Sequence, residues 1–534
     1  MRDHALFTRP DGRGIPVALK RWWLLPLFVC VLRGLPFLVT LQADPTPTET
    51  WIPVGYIPKD FLQYVALIRQ VPDQHRLLFV NPFTTEPQEG RFFMLFFLAL
   101  GWICRITGLD PFWALELSRI PLLFAFFWLL ARFVARVFDD PARQRWAFLL
   151  AGLSGGIEWI VALVRPWLPA ATAAVAKQDL WHLQGWSTFA GLFNPLWVAG
   201  LVLTLLALRP LLEPSTPRRR DLAQLSVAVF VLHWVHQYSE IVVLAVGASY
   251  PLAAWALGER IDGARLRRVA AAVGAPLVVN GAITLWQLRD PVFARSSQQV
   301  LGAQQLSVFW YPLTLALVGA FALRGMALLA REDHPWRTPL VAWTAAVVLL
   351  HTSPVLNGYH FVFQLHLPVA LAAAPAVAAA TSRLRTEGRR IALALVSIGL
   401  FASPFAVTWQ SIADARRNSP VPRPYVELAR LLARERPGNV LPPWHIGHIV
   451  PAYGPHRTFV GHWFLTPDFE ARARLYADLV SDPRRTPDLL ALVARDRIRY
   501  VVVPFSEERR IGREFGGQLE RTLRVPGVSV LVLR

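Results

Sequence analysis

The sequence predicts a polytopic α-helical membrane protein ending in a small α/β domain, and three observations carry that expectation. Of its 534 residues, 54% are hydrophobic and only 17% charged. Apolar runs near the length that spans a bilayer, roughly 20 residues, recur up to position 409. From about residue 410 the pattern changes to interleaved arginines and acids with short β-branched runs.

Taken in order, the N-terminus carries Arg2, Arg9, Arg13, Lys20 and Arg21 ahead of an apolar run too long for a signal-peptide core and lacking a small-residue cleavage site. It is expected to remain as an anchor that starts in the cytoplasm. A window of about 19 residues places eleven transmembrane spans at roughly 22–41, 113–136, 146–164, 188–209, 222–236, 240–257, 268–287, 307–324, 338–352, 360–380 and 391–409. One further run, "RFFMLFFLALGWICRITGLD" at 91–110, has only about 14 apolar residues before Arg105, below spanning length. If it spanned, Arg132, Arg136, Arg143, Arg145 and the "RRR" of 218–220 would lie outside. Laid along the outer surface instead, it leaves the basic segments 132–145, 216–220, 258–268, 324–337 and 383–390 all inside. The outer face then carries a first loop, 42–112, a second, 165–187, a third, 288–306, a short one, 353–359, and the whole tail.

The tail offers strands at "YVVVPF" (500–505) and "VSVLVLR" (528–534), with the helical "DFEARARLYADLV" among its other stretches. Pro420, Pro422 and Pro424 stiffen the junction. The expected division is therefore a membrane domain over 1–409, including the outer loop 42–112, and an extracytoplasmic α/β domain over 410–534.

The net charge of +19 does not imply nucleic acid, because the basic residues recur in short clusters between apolar runs and no basic stripe carries interleaved aromatics. Cys30 and Cys104 both sit in apolar stretches, so neither a disulfide framework nor a cysteine metal site is supported. Walker, GxSxG, HExxH and Rossmann patterns in a supporting context are absent, which argues against ATP-driven or hydrolytic chemistry.

The decapeptide "GYIPKDFLQY" (55–64) stands out as polar material just behind the first apolar run. Pro58 suits the first position of a helix on which Phe61, Val65 and Ile68 share one side and Asp60, Gln63 and Tyr64 the other. Two readings stay open at this point: Asp60 serves the positive end of a helix dipole, or it lifts a carboxylate toward a substrate above the lipid.

The run from 55 to 119, with "G....D...Y...I.Q", then "NPFTTEP", "LG", "TGLD" and Arg119, resembles the N-terminal third of bacterial GT-C superfamily membrane glycosyltransferases. It is most similar to the branch related to protein O-mannosyltransferases and lipid A aminoarabinose transferases. "NGYHFVFQLHLPVALAA" (357–373) and "NVLPPWHIGHIVPAYGPHRTFVGHWFLTPDF" (439–469) extend the likeness over most of the chain, loosely in the middle spans. The resemblance implies a GT-C-like fold with a catalytic carboxylate in the first outer loop, matched by Asp60, and an arginine at the second span, matched by Arg119. It implies a polyprenyl-phosphate sugar as donor and no cofactor, the lipid-linked sugar being a substrate.

The residue types suit that chemistry. Phosphate is already a competent leaving group, so the site needs a base for the attacking hydroxyl and cations for the departing phosphate. Many metal-dependent relatives pair acids in this loop, whereas Asp60 follows Lys59, which argues against a divalent ion. Tyr64, Lys59, Glu86 of "TTEP", Asp179 and Trp181 of "KQDLWHLQGW", Arg295 of the third loop, and His360 and Gln364 of the later stretch complete the candidate substrate contacts. Each has a plainer alternative; Trp181 and Trp186 also suit an interfacial aromatic belt, and Arg119 a helix-end anchor. Arg33 and Glu116 carry charge inside spans, where a buried partner is expected. Two histidine groups, His233 with His236, Tyr238 and Glu240, and His445 with His448, His456 and His462, lack convincing metal-ligand spacing and suit packing or substrate contact instead.

The reading is therefore a glycosyltransferase of the bacterial cytoplasmic membrane with membrane lipid, a polyprenyl-phosphate sugar and an unknown glycan, lipid or protein acceptor as partners. A transporter would place polar residues at mid-span in matching halves, and here they crowd the outer ends and loops; a catalytically inactive relative stays open. The topology has a direct test. In a background freed of Cys30 and Cys104, Arg105→Cys is expected to react with a membrane-impermeant maleimide from outside, and Arg218→Cys only after the membrane is opened; the reverse pattern would put 91–110 across the bilayer.

Overall fold

A computed structural model of the chain describes residues 19–42, 48–52, 58–156, 194–300, 311–353, 360–382, 387–418 and 420–534, with a few single positions between them. Two compact units emerge: the described residues within Met1–Pro36, Arg119–Asn280 and Ala303–Ser411 form one, and those within Phe37–Ser118, Gly281–Gly302 and Ile412–Arg534 the other. This division does not follow the chain order expected from the break at 409. The first loop and the tail share a unit because the loop's buried polar groups find their partners there.

The first unit is helical, and among the described residues a helix stands at each apolar run. Among the described residues, Pro111–Val137, Pro195–Leu212, Gln237–Ala256 and Gly263–Gln287 are long and apolar enough to cross a membrane. Local chemistry starts them cleanly. Asn194 accepts from the Leu196 N–H at 3.0 Å with Pro195 as first helical residue, and Asp140 accepts from the Arg143 N–H at 2.7 Å ahead of Pro141–Leu153. Small residues then let helices close up. A Cβ on Gly325 would lie 1.8 Å from the Ala372 carbonyl oxygen, so Tyr311–Arg331 and His366–Ser382 touch backbone to backbone.

In the second unit the helix Pro58–Gln74 packs on Leu95–Thr107, where Gly101 leaves room for Val71 and a Cβ would come within 2.5 Å of its side chain. At 13 residues, about 20 Å long, Leu95–Thr107 is too short to cross the hydrocarbon core. The expected two-faced surface helix is corrected in one respect: Gln63, assigned to the polar side, is buried, as are Phe61, Val65 and Ile68.

The tail forms a five-stranded sheet. In sheet order its strands are β4 (Arg457–Thr458), β3 (Asn439–Leu441), β5 (Ile498–Pro504), β7 (Val528–Leu533) and β6 (Leu519–Val525), the first three parallel and the last two antiparallel. Helices Phe469–Ser481 and Thr486–Arg495 cover the core of Val501, Val503 and Leu531. A two-stranded ribbon pairs β1 (Glu49–Trp51) with β2 (Pro420–Pro422), tying the start of the first loop to the start of the tail.

Beyond β3 and β4 the backbones of 447 and 461 nearly touch: a Cβ on Gly447 would meet the Val460 carbonyl oxygen at 1.9 Å. Gly447→Ala is therefore expected to lower stability by about 1–3 kcal/mol, read as a lower thermal midpoint in detergent. A pH effect follows from His456, whose ring is buried and whose Nε2 donates to the Leu432 carbonyl at 2.6 Å. Burial holds this histidine below the usual range. A lowered folded value means the stabilisation is full above about pH 6.5 and is lost as pH falls beneath it. Thermal midpoints should drop between pH 7.5 and 5, and His456→Gln should remove the share due to this ring.

Candidate functional site

The site is built around the "NPFTTEP" segment, buried from Asn81 to Thr85, where many of the polar groups find specific partners. Gln70 brackets Val80, donating to its carbonyl at 2.9 Å and accepting from its N–H at 3.0 Å. Gln88 does the same for Asn81 at 2.8 and 2.7 Å. Asn81 donates to the Leu465 carbonyl at 2.6 Å and to Ser296 at 3.2 Å, while its oxygen accepts from the Phe83 N–H at 2.9 Å. The Thr458 N–H reaches the Pro82 carbonyl at 2.9 Å, and the Thr466 hydroxyl donates to the Phe83 carbonyl at 3.0 Å. Buried amides left unmet would cost about 1–3 kcal/mol each, so this saturation locks loop to tail.

On that platform stands Asp60, in the first turn of Pro58–Gln74, where the helix dipole favours an anion. Its Oδ1 lies 3.9 Å from Nε2 of His462. About a third of the Asp60 side chain is open (31%), whereas His462 is wholly enclosed (0%). Phe464 meets the His462 ring edge-on at 4.2 Å, His448 at 4.9 Å, and Phe83 lies 5.6 Å away. Tyr64 stacks on Phe97 at 4.9 Å. Arg69, three turns along the same helix, donates to the Ala452 carbonyl at 2.8 Å.

Glu86 has a different setting. Its carboxylate is clasped by Arg295, from the helix Pro291–Val300, and by Arg472, from Phe469–Ser481. Arg472 also covers the Phe459 ring at 5.0 Å and donates to Thr84 at 3.3 Å. Two guanidinium groups thus occupy the oxygens that the sequence offered to a sugar, and Arg295 is brought to Glu86.

Three expected contacts fall in the helical unit. Arg119 is buried (2% exposed) in the third turn of Pro111–Val137, an interior position instead of an exposed helix end. His360 stacks on Tyr238 at 4.1 Å. Gln364 is buried and donates to Ser239 at 2.6 Å and to Thr204 at 3.3 Å, in line with His236, whose Nδ1 lies 2.8 Å from the Ser239 hydroxyl. His233 pairs with Glu240 at 2.6 Å, and Asn280 reaches the same carboxylate at 3.4 Å. Asp179 and Trp181, and the Lys59 side chain, lie outside the described residues.

The tail histidines separate. His445 packs on Tyr425 at 5.0 Å and is held below the usual range by burial, His456 serves Leu432, and only His448 and His462 share a pocket. Among the described residues no three His, Cys, Asp or Glu side chains converge as a metal site. Arg472 and His462 were not singled out as site residues by the sequence. The histidine density at 445–462 was a signal, but nothing local says which ring meets Asp60.

No protein-family model and no curated protein matches the sequence. Solved structures do. The apo oligosaccharyltransferase of Archaeoglobus fulgidus aligns over 92% of this chain and 70% of its own at 12% identity with a TM-score of 0.52. ArnT from Cupriavidus metallidurans bound to undecaprenyl phosphate aligns over 96% of this chain and 98% of its own at 13% identity and 0.52. Its apo state aligns over 94% and 97% at 15% identity and 0.50. With likeness running nearly end to end, the chain has the fold of the GT-C superfamily of membrane glycosyltransferases.

Proposed function

We propose that this protein is a membrane glycosyltransferase that moves one sugar from a polyprenyl-phosphate donor to an acceptor hydroxyl, with Asp60 as general base. The observation that carries the reading is the setting of Asp60: a carboxylate at a helix start, closed on one side by His462 and open over about a third of its surface. The bound lipid of one structural neighbour, undecaprenyl phosphate, gives the donor class its support.

In the proposed step the acceptor oxygen attacks the anomeric carbon as Asp60 takes its proton. The bond from that carbon to the phosphate oxygen breaks, and the electron pair leaves on the phosphate. One displacement inverts the anomeric centre. Tyr64 is proposed to contact substrate beside Asp60 and Arg119 to bind phosphate, while Glu86 and Arg295 pair within the first-loop unit. No cofactor is required, and Lys59 beside Asp60 takes the place where paired acids would hold a divalent ion. The eleven spans, a cytoplasmic N-terminus and an external tail in the bacterial cytoplasmic membrane complete the proposal.

A transport reading has one observation of its own: Glu240, buried with His233 and Asn280 on helices that include two candidate spans, is the kind of intramembrane carboxylate found on ion paths. The assay separates the two. Purified protein is incubated with a panel of polyprenyl-phosphate sugars and candidate acceptors, wild type against Asp60→Asn. Turnover is expected for at least one donor, reduced about 100-fold or more in the variant and unaffected by EDTA. Equal turnover removes Asp60 as base; loss with EDTA removes the metal-free mechanism; no turnover with any donor favours transport or an inactive relative.

A further inference from the structure

We propose that His462 is a positioning residue for Asp60, a histidine supplied by the tail that holds the carboxylate in its reactive orientation. The inference rests on the function proposed above and adds a residue to it.

Four observations converge. His462 lies four residues past β4 and His448 seven past β3, each beyond the carboxyl end of one of two neighbouring parallel strands, and their rings meet at 4.9 Å. Open α/β sheets place ligand sites beyond such strand ends. The backbone there tolerates only glycine: a Cβ on Gly461 would meet the Gly447 carbonyl oxygen and the Phe83 ring, both at 2.7 Å. This close approach sets His462 under the first loop. The loop's docking does not depend on the imidazole, because Asn81 to Leu465, Thr466 to Phe83, and the Gly461 N–H to the Thr466 hydroxyl at 3.0 Å hold it with other groups. Finally, the exposures differ: the ring is sealed, and about a third of the Asp60 side chain is exposed.

Phe83, Phe464 and His448 enclose the ring, and its Nε2 faces Oδ1 of Asp60, so the side chain can present an N–H to the carboxylate. At 3.9 Å the pair is an electrostatic contact longer than a hydrogen bond, and the proposal is that it shortens in the substrate complex. Donation to one carboxylate oxygen would fix the plane of the carboxyl group, which is how the ring positions the base. Among the described residues His448 is the other titratable ring packed on His462.

The test reads Asp60 itself. Full-length protein in detergent is treated with a water-soluble carbodiimide and an amine across pH 3–8, and modification of the Asp60 peptide is followed by mass spectrometry. Because the protonated carboxyl reacts, the midpoint reports its proton affinity without any donor sugar. His462→Ala or His462→Leu should raise the midpoint by about one pH unit, a tenfold change in affinity, while His462→Gln, which keeps an N–H donor, should recover most of the shift. With an active donor, kcat should fall about 10-fold or more in the donorless variants, with KM changed less than about twofold. His445→Gln is the control and should match wild type. A wild-type midpoint in a folded donorless variant overturns the proposal, as does an equal shift in His445→Gln. Failure of both donorless variants to fold beside a folded His462→Gln assigns the ring to packing and overturns it as well. A shifted midpoint with no turnover for any donor in wild type leaves the pairing standing and removes the transferase reading alone.

Discussion

The second unit depends on one constraint: residues 80 to 85 are buried, and the amides they hide must be met by something. Two glutamines of the same loop meet part of the demand, Gln70 around Val80 and Gln88 around Asn81. The rest is met from the tail, where Thr458, Leu465 and Thr466 bond to Pro82, Asn81 and Phe83. Isolated, the loop would carry several buried unsatisfied groups at about 1–3 kcal/mol each. The tail is thus part of the loop's fold, and the helix that presents Asp60 inherits its position from that contact.

Two carboxylates of this unit stand in different surroundings. Glu86 has a guanidinium on each oxygen, from Arg295 and Arg472, which offsets its charge in place. Asp60 stands at a helix start with the enclosed His462 ring 3.9 Å from its Oδ1, and about a third of its side chain is exposed. A structural anchor wants its acceptors filled by cations. The base proposed at Asp60 needs its charge favoured and access to a hydroxyl. The same residue chemistry yields either outcome according to what the neighbours supply.

Legibility in the sequence follows the range of the forces involved. Apolar runs specify helices locally, so among the described residues a helix stands at each apolar run, four of them of spanning length, and charge asymmetry sets 91–110 apart, where the helix has 13 residues. In the tail β5 and β7 announced themselves by β-branched runs, whereas β6, "LERTLRV", lies largely exposed at the sheet edge and carries charges that mask it. "NPFTTEP" was visible as a signature but not as a hub, because Asn81 binds Leu465, 384 positions away. Gln63 was misplaced for the same reason: helical spacing describes one helix, and burial on its second side comes from parts of the chain that spacing cannot see. Asp60 was legible because its helix start is local; His462 was not, because the partnership exists only after folding.

Gly447 and Gly461 show why such a partnership can be specified over so long a separation. Neither glycine touches Asp60, and both have ordinary backbone angles. Their role is steric absence: with no Cβ, the chain after β3 and the chain after β4 approach to backbone contact, and the residue after Gly461 is carried beneath the first loop. A side chain at either position would move the strand-end loops apart by the width of a methyl group. A displacement of that size exceeds the tolerance of a positioned base, for which about 1 Å can cost 100-fold in rate. The geometry at the carboxylate is therefore set by packing well away from it, and the hydrogen bonds of the first loop turn that packing into a fixed coordinate frame.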